Sequence, residues 1–398
     1  MGLLTLNVCQ QLSFFKPIDI MSTILSAVAC NLDRHILTAT LPLLAEEKVA
    51  AIEWAFDALY QQAEIPVWFE DLMFTFGQSG RLMGHGVFFS LFAGRWSKEQ
   101  AQWLQRLEQL SQRYNFDQVT EHFGFMTGAD FHAGAPLGIP FTPTTLAIGQ
   151  DRLQRIQAAA QCPVGLENLA FAYSLEDVKR HGEFLDQLIR PVNGFIILDL
   201  HNLYCQLHNF DCAFEEVIHL YPLERVREIH ISGGSWEASD SQPSRKIRRD
   251  THDESVPDEV FQLLAASLPL CPNLKYVVLE QLGNGLRTAA SQEQFRQDFY
   301  RMDQLLKTYQ APSPKSSHEF LPVLNSPPIQ PIESEALYQQ QQVLSYILEH
   351  VSTVEEAQKC LAASPLAHTE WNTDNWQPHM LETALKIAQK WKKGFPSN

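Results

Sequence analysis

Eight short apolar runs recur between residues 22 and 280, and nearly every gap between them carries helical periodicity. The runs are Ser22–Ala29, Val49–Trp54, Leu82–Gly86, Phe116–Glu121, Pro163–Glu167, Gly194–Asp199, Val226–Ile231 and Lys275–Glu280. Helices are expected over 33–48, 144–160, 211–220, 256–268 and 291–309. Ser97 reads as the cap of another, with Ala101, Leu104, Leu107 and Leu110 on one face, and Ser174 with Asp177 as a capping box opening a helix to about Arg190. The run GFIILD is apolar throughout, as a strand buried on both faces must be. Parallel strands need long crossovers, and eight β/α units are the count that closes on itself. The fold expected is α/β, a (β/α)8 TIM barrel over residues 21–310.

The flanks read differently. Residues 1–20 form an N-terminal extension expected to be poorly ordered, without the basic segment or cleavage site of a signal peptide. Residues 311–331 have the proline and serine content of a linker. Residues 332–398 form a small all-helical appendage, with helices expected over 333–350, 353–363 and 376–392 and caps at Ser352 and Asn375. Its Trp371, Trp376 and Trp391 are expected to pack against the barrel or a partner.

Charge narrows the function. Thirty basic residues against forty-six acidic leave a formal −16, which argues against nucleic acid as the main partner. The basic run SRKIRR at 244–249 reads as a solvated loop or a local anion contact. Seven scattered cysteines with no C-x-x-C pair suit a reduced, cytoplasmic chain, and no apolar run is long enough to span a bilayer.

Barrel chemistry gathers at the C-terminal ends of the strands. Here those ends carry His85; Glu121 and His122; Glu167 and Asn168; Asp199 and Asn202; His230; and Glu280. Asp250 and His252 stand two apart in RRDTHDESVP, so on an extended segment both leave one face. Each group alone is most simply a buried polar residue satisfied by a neighbour. Four or five carboxylates in one mouth cannot be buried without cations. Carboxylate and imidazole without thiolate suit iron, manganese or zinc, and the donors outnumber one ion's sphere.

The segments GHGVFFSL (84–91), VTEHFGF (119–125), GLENLAFAY (165–173), GFIILDLHNLYCQLHN (194–209), EIHISGG (228–234), DTHDESVPDEVFQLL (250–264) and VVLEQ (277–281) together resemble the multinuclear non-haem iron-dependent oxidases, the methanobactin-biosynthesis-oxidase-like family. The resemblance covers most of residues 22–310 and nothing of the appendage. It implies a xylose-isomerase-like barrel holding two or three irons of mixed valence. It also implies an O2-dependent oxidation, commonly at a cysteine of a ribosomally made peptide, alongside a small leader-recognition partner protein. Position by position, His85, Glu121, Glu167, Asp199, His230, Asp250, His252 and Glu280 fall at ligand positions, with Asn168 and Asn202 as ligands or orienters. Two positions depart: Ala55 and Gly234 stand where many relatives have histidine, and His201 is an extra imidazole able to compensate. Asp250 and His252 are taken as the catalytic pair, and Arg248, Arg249 and His201 as substrate contacts. Two other readings fit the same strand ends: a divalent-metal sugar isomerase, epimerase or hydrolase, and a binding subunit with a degenerate site.

Overall fold

In a computed structural model, residues 24–60, 62, 64–128, 134–309, 320–323 and 326–392 are described. The extension at 1–20 and part of the proline-rich linker lie outside the described residues. Eight of the strands are β1 (Leu25–Cys30), β2 (Ala51–Trp54), β3 (Leu82–Gly86), β4 (Gln118–His122), β7 (Val164–Glu167), β8 (Phe195–Asp199), β9 (Val226–Ile231) and β12 (Tyr276–Leu279). They run parallel and close into a barrel in the order β1-β12-β9-β8-β7-β4-β3-β2. Two antiparallel hairpins rise from the loops: β5 (Phe125–Met126) with β6 (Pro136–Leu137), and β10 (Trp236–Ala238) with β11 (Lys246–Arg248). The basic run at 244–249 therefore contains a hairpin strand.

The expected caps explain several helices. Ser97 and Ser174 each close a capping box, with Gln100 and Asp177 as partners, opening Lys98–Tyr114 and Leu175–Ile189. Two helices have no counterpart in the expected set. Val67–Gln78 is too apolar around its circumference to show a clean stripe. Leu200–Asn209 starts directly at the end of β8, where Asp199 is both the last strand residue and the N-cap, accepting the Asn202 amide at 2.6 Å.

Ala27, Ala51, Met83, Tyr276 and Val278 fill the barrel's interior, and the larger core lies between strands and helices. Burying each large side chain there is worth roughly 1.5–3 kcal/mol. Gly84 and Gly86 bracket His85 because outward side chains have no room: a Cβ at Gly84 would lie 3.1 Å from the Phe116 ring, and one at Gly86 would run into Glu121 Oε2.

The appendage helices are Glu335–His350, Val354–Ala362 and Pro378–Trp391. Ser334 and Thr353 cap the first two; the third has no side-chain cap, so Ser352 and Asn375 do not serve. The group packs on the barrel. Buried Gln341 exchanges bonds with Gly94 N and Phe92 O, and Trp376 stacks on Tyr173 at 3.8 Å. Glu382 accepts from Ser239 Oγ, the amides of Asp240 and Ser241, and Ser241 Oγ in the β10–β11 loop, and pairs with Lys386. Burial opposes its charge, but Lys386 and those donors hold the carboxyl down to about 2.

Candidate metal centre

The barrel register brings the strand ends level: His122 pairs with Glu167 across β4 and β7, and Asp199 with His230 across β8 and β9. Three trios result, each with ligand atoms within 4.8 Å of one another: His85, His122 and Glu167; Glu167, Asp199 and His230; Glu53, Glu228 and His230. Glu167 and His230 are each shared between two trios.

In the first trio the neighbours select which nitrogens face Glu167. Thr120 Oγ1 donates to Gly84 O at 3.3 Å, so it accepts from His85 Nδ1 at 2.8 Å. His122 Nδ1 donates to Gly86 O at 3.0 Å. Both rings therefore turn Nε2 toward Glu167 Oε2, at 3.3 and 3.4 Å.

His230 is fully buried, with carboxylates on both sides. Its Nε2 faces Glu53 at 3.2 Å and Glu228 at 3.5 Å; its Nδ1 faces Glu280 at 3.5 Å, Glu167 at 3.9 Å and Asp199 at 4.0 Å. The expected pair Asp250 and His252 does converge, joined to each other at 2.7 Å. His252, in the left-handed region at φ 51°, reaches Glu280 Oε2 with Nδ1 at 3.3 Å, and Glu280 leads on to His230.

Side chains behind the cluster hold it in place. Asn168 clamps the Asp199 backbone, donating to its carbonyl at 3.1 Å and accepting its N–H at 2.7 Å. Asn202 Nδ2 donates to Glu167 Oε1 at 3.2 Å and Asn168 O at 2.8 Å. His201 accepts from Arg248 Nε on Nε2 at 3.1 Å, so its hydrogen lies on Nδ1, 3.1 Å from Asp250 Oδ1. Its ring stands where a side chain at Gly234 would be: a Cβ there would come within 2.9 Å of His201 Cε1 and would collide with Arg249 O.

Three placements differ from expectation. Glu121 alternates to the outer face of β4, against Gly86, and joins none of the trios, whereas its neighbour His122 points inward. Arg248 is buried behind His201, and Arg249 pairs with Glu237, so neither guanidinium reaches into the mouth. Glu53 and Glu228 enter the cluster although neither stands at an expected ligand position. Strand alternation signals both: Glu228 lies two residues before His230, and Glu53 stands inside β2.

The electrostatics show what the cluster lacks. Burial, then Glu167 and Asp250, push the Asp199 carboxyl well above its usual range. Burial and Glu53 lift Glu228 to about 7. Burial disfavours a charged His85, yet Glu53 and Glu167 raise it to about 10; Glu53, Glu228 and Glu280 likewise raise His230 against the effect of burial. Glu53 Oε2, Glu167 Oε2, Asp199 Oδ2, Glu228 Oε1, both nitrogens of His230 and His252 Nδ1 are buried without a hydrogen-bond partner. Orphaned oxygen and nitrogen atoms converging in this way fit cations, which would replace the protons now balancing the carboxylates. The donor set contains no thiolate: Cys205, 4.0 Å from His201 Nδ1, is kept protonated by burial and by Asp250.

Parts of the chain resemble known proteins. UPF0276 proteins of Caulobacter vibrioides and Shewanella loihica are 27% and 26% identical over 184 and 181 residues, each match covering 46% of this chain and 62% of the relative. The chain thus spans under two thirds of the curated relatives it matches. Among solved structures, endonuclease IV from Thermus thermophilus superposes with a TM-score of 0.45 at 14% identity, over 70% of this chain and 99% of that one. D-allulose 3-epimerase from Methylomonas sp. gives 0.44 at 13% identity, over 71% and 98%. Residues 67–288 match the family described as RiPP precursor modification enzyme MbnB/TglH/ChrH, and this chain belongs to that family.

Proposed function

We propose that this enzyme is a multinuclear iron-dependent oxidase that uses O2 to modify a ribosomally made peptide at a cysteine. The observation that carries the reading is the sharing of Glu167 and His230 between trios of converging donors, with Glu53, Glu167, Asp199, Glu228 and His230 buried and orphaned, in a chain of this family. His85, His122, Glu167, Asp199, His230, Asp250, His252 and Glu280 would hold the metal, with Glu53 and Glu228 at the deeper end. Bound iron supplies the redox chemistry that these side chains lack.

The protein's own part is positioning. Thr120 and Gly86 O fix the tautomers of His85 and His122, Asn168 and Asn202 set Asp199 and Glu167, and Arg248 acts on Asp250 through His201. His230 and Asp199 are sealed from solvent, whereas the side chains of His122 and Asp250 are 25% and 24% exposed, so substrate approaches past these two. The reading includes a small partner protein for the peptide leader, and a reducing cytoplasm that keeps the cysteines as thiols.

The test is anaerobic purification, metal analysis per protomer, and O2 uptake with a cysteine-containing peptide. Two or more irons, lost in the Asp250→Ala, His252→Ala double variant, together with peptide-dependent O2 uptake, are expected. Zinc or manganese without O2 uptake would move the chain to the isomerase or hydrolase class, and no stoichiometric metal would leave a binding protein.

A further inference from the structure

A second feature is a cavity of about 440 Å³ between the barrel and the appendage. It falls in the size range of small-molecule and side-chain sites. Phe123 and Leu169 line it, and they directly follow His122 and Asn168 in the chain. The helix Leu175–Ile189 forms one wall, and the appendage segment carrying Trp371 closes the other.

Six aromatic side chains share the walls with polar and charged ones. Phe141 stacks on Phe184 at 4.4 Å and 9°, Phe171 meets Tyr173 edge-on, and Trp371 meets Phe125 the same way from the appendage side. Set into this surface are donors without protein acceptors. Tyr173 is 4% exposed, and its hydroxyl has no hydrogen-bond partner. His181 accepts the Leu169 amide on Nε2 at 3.2 Å, so the neutral ring's hydrogen is on Nδ1, with no acceptor among the described residues. Arg180 lies over the Phe141 ring at 4.7 Å and has no ion-pair partner among the described residues. Charged groups at the lining are Arg180 and the carboxylates Glu176, Asp177 and Glu370. The cavity therefore offers aromatic rings to an apolar body and donors to a neutral hydrogen-bond acceptor, and its acidic lining disfavours an anion. A peptide residue with an apolar side chain and its own carbonyl meets that description.

We propose that this cavity seats an apolar residue of the peptide substrate close in sequence to the one being modified, its side chain among the aromatic walls and a peptide carbonyl on Tyr173 Oη or His181 Nδ1. The proposal rests on the peptide reading above. It makes the appendage part of the substrate site, because Trp371 lies in the appendage, beyond the 67–288 segment that matches the family.

Two variants probe it in the full chain. Gly138 lines the cavity, and a Cβ there would meet only the Tyr173 ring at 3.8 Å, so Gly138→Leu fills the space without a clash. Tyr173→Phe removes one hydroxyl and keeps the ring. The probes are the thiol-free capped tripeptides acetyl-Ser-Phe-Gly amide and acetyl-Ser-Ser-Gly amide, titrated by calorimetry and tryptophan fluorescence. The Phe probe is expected to bind the parent more tightly than the Ser probe, about tenfold more weakly after Gly138→Leu and about threefold after Tyr173→Phe, with metal content unchanged. Equal binding of the two probes, or unchanged binding of the Phe probe in both variants, would overturn the proposal. Neither probe can be oxidised at sulfur. Cavity binding without O2 uptake on a cysteine peptide would therefore count against the oxidase reading alone.

Discussion

Arg248→Met removes a cation and a donor from behind the candidate metal centre while keeping most of the buried stem. Arg248 is 3% exposed, donates Nε to His201 Nε2 at 3.1 Å, and rests on Trp236 and Tyr204 at 5.0 and 5.6 Å. Burial keeps His201 neutral, pushing it below the usual imidazole range, so the Arg248 bond, together with Asp250, decides which nitrogen carries the hydrogen. Without it, Asp250 alone holds the Nδ1–H tautomer, and the 3.1 Å contact to Asp250 Oδ1 loses the second bond that orients the ring. Leaving one buried acceptor unpaired costs about 1–3 kcal/mol locally, and losing an outer partner of a metal ligand typically costs roughly 10–100-fold in metal affinity. The sign is diagnostic. If Arg248 acted only as a charge, removing it would tighten cation binding; acting through His201, its loss weakens binding. Anaerobic chelator competition for Fe(II) reads the difference directly, with thermal unfolding as the control for folding. Affinity within about twofold of the parent, or tighter, would refute the positioning role.

Two further outcomes follow from buried groups elsewhere. Burial pushes His181 from 6.5 down to about 3, so between those values the unfolded chain binds a proton that the native ring refuses. Native stability should therefore fall with falling pH, by about 1.4 kcal/mol per pH unit from this residue. Denaturant midpoints of the parent and His181→Gln across roughly pH 6 to 4 check it, and identical slopes would contradict it. Glu382→Ala strips the β10–β11 loop of its acceptor and should cost on the order of 2–3 kcal/mol. Metal content should fall with it, because β11 feeds straight into Asp250; a stable variant with full metal content would show that the clamp is not needed.

The barrel is legible in the sequence because its determinants are local. Eight apolar runs spaced by capped helices admit few closed arrangements, and Ser97 and Ser174 act within four residues of themselves. The helix Leu200–Asn209 is not legible, because its cap is the last residue of the strand before it, leaving no turn to mark the boundary. Strand ends can likewise be marked as ligand positions, and His85, Glu167, Asp199, His230, Asp250, His252 and Glu280 do meet.

Which neighbour each group faces is a different matter. A one-residue alternation on β4 sends Glu121 to the outer layer and His122 to the centre, and only the register against β3 and β7 distinguishes them. Arg248 looks solvent-facing in a run of basic residues, until the β10–β11 hairpin folds it behind His201. The order of strands and helices, and the inventory of carboxylates and imidazoles, follow from periodicity and residue type, so they can be read along the chain. Two features cannot: His201 occupies the space beside Gly234, and Trp371 lines a cavity with residues of the barrel. Those contacts link residues far apart in the chain, and their geometry exists only once the barrel has closed.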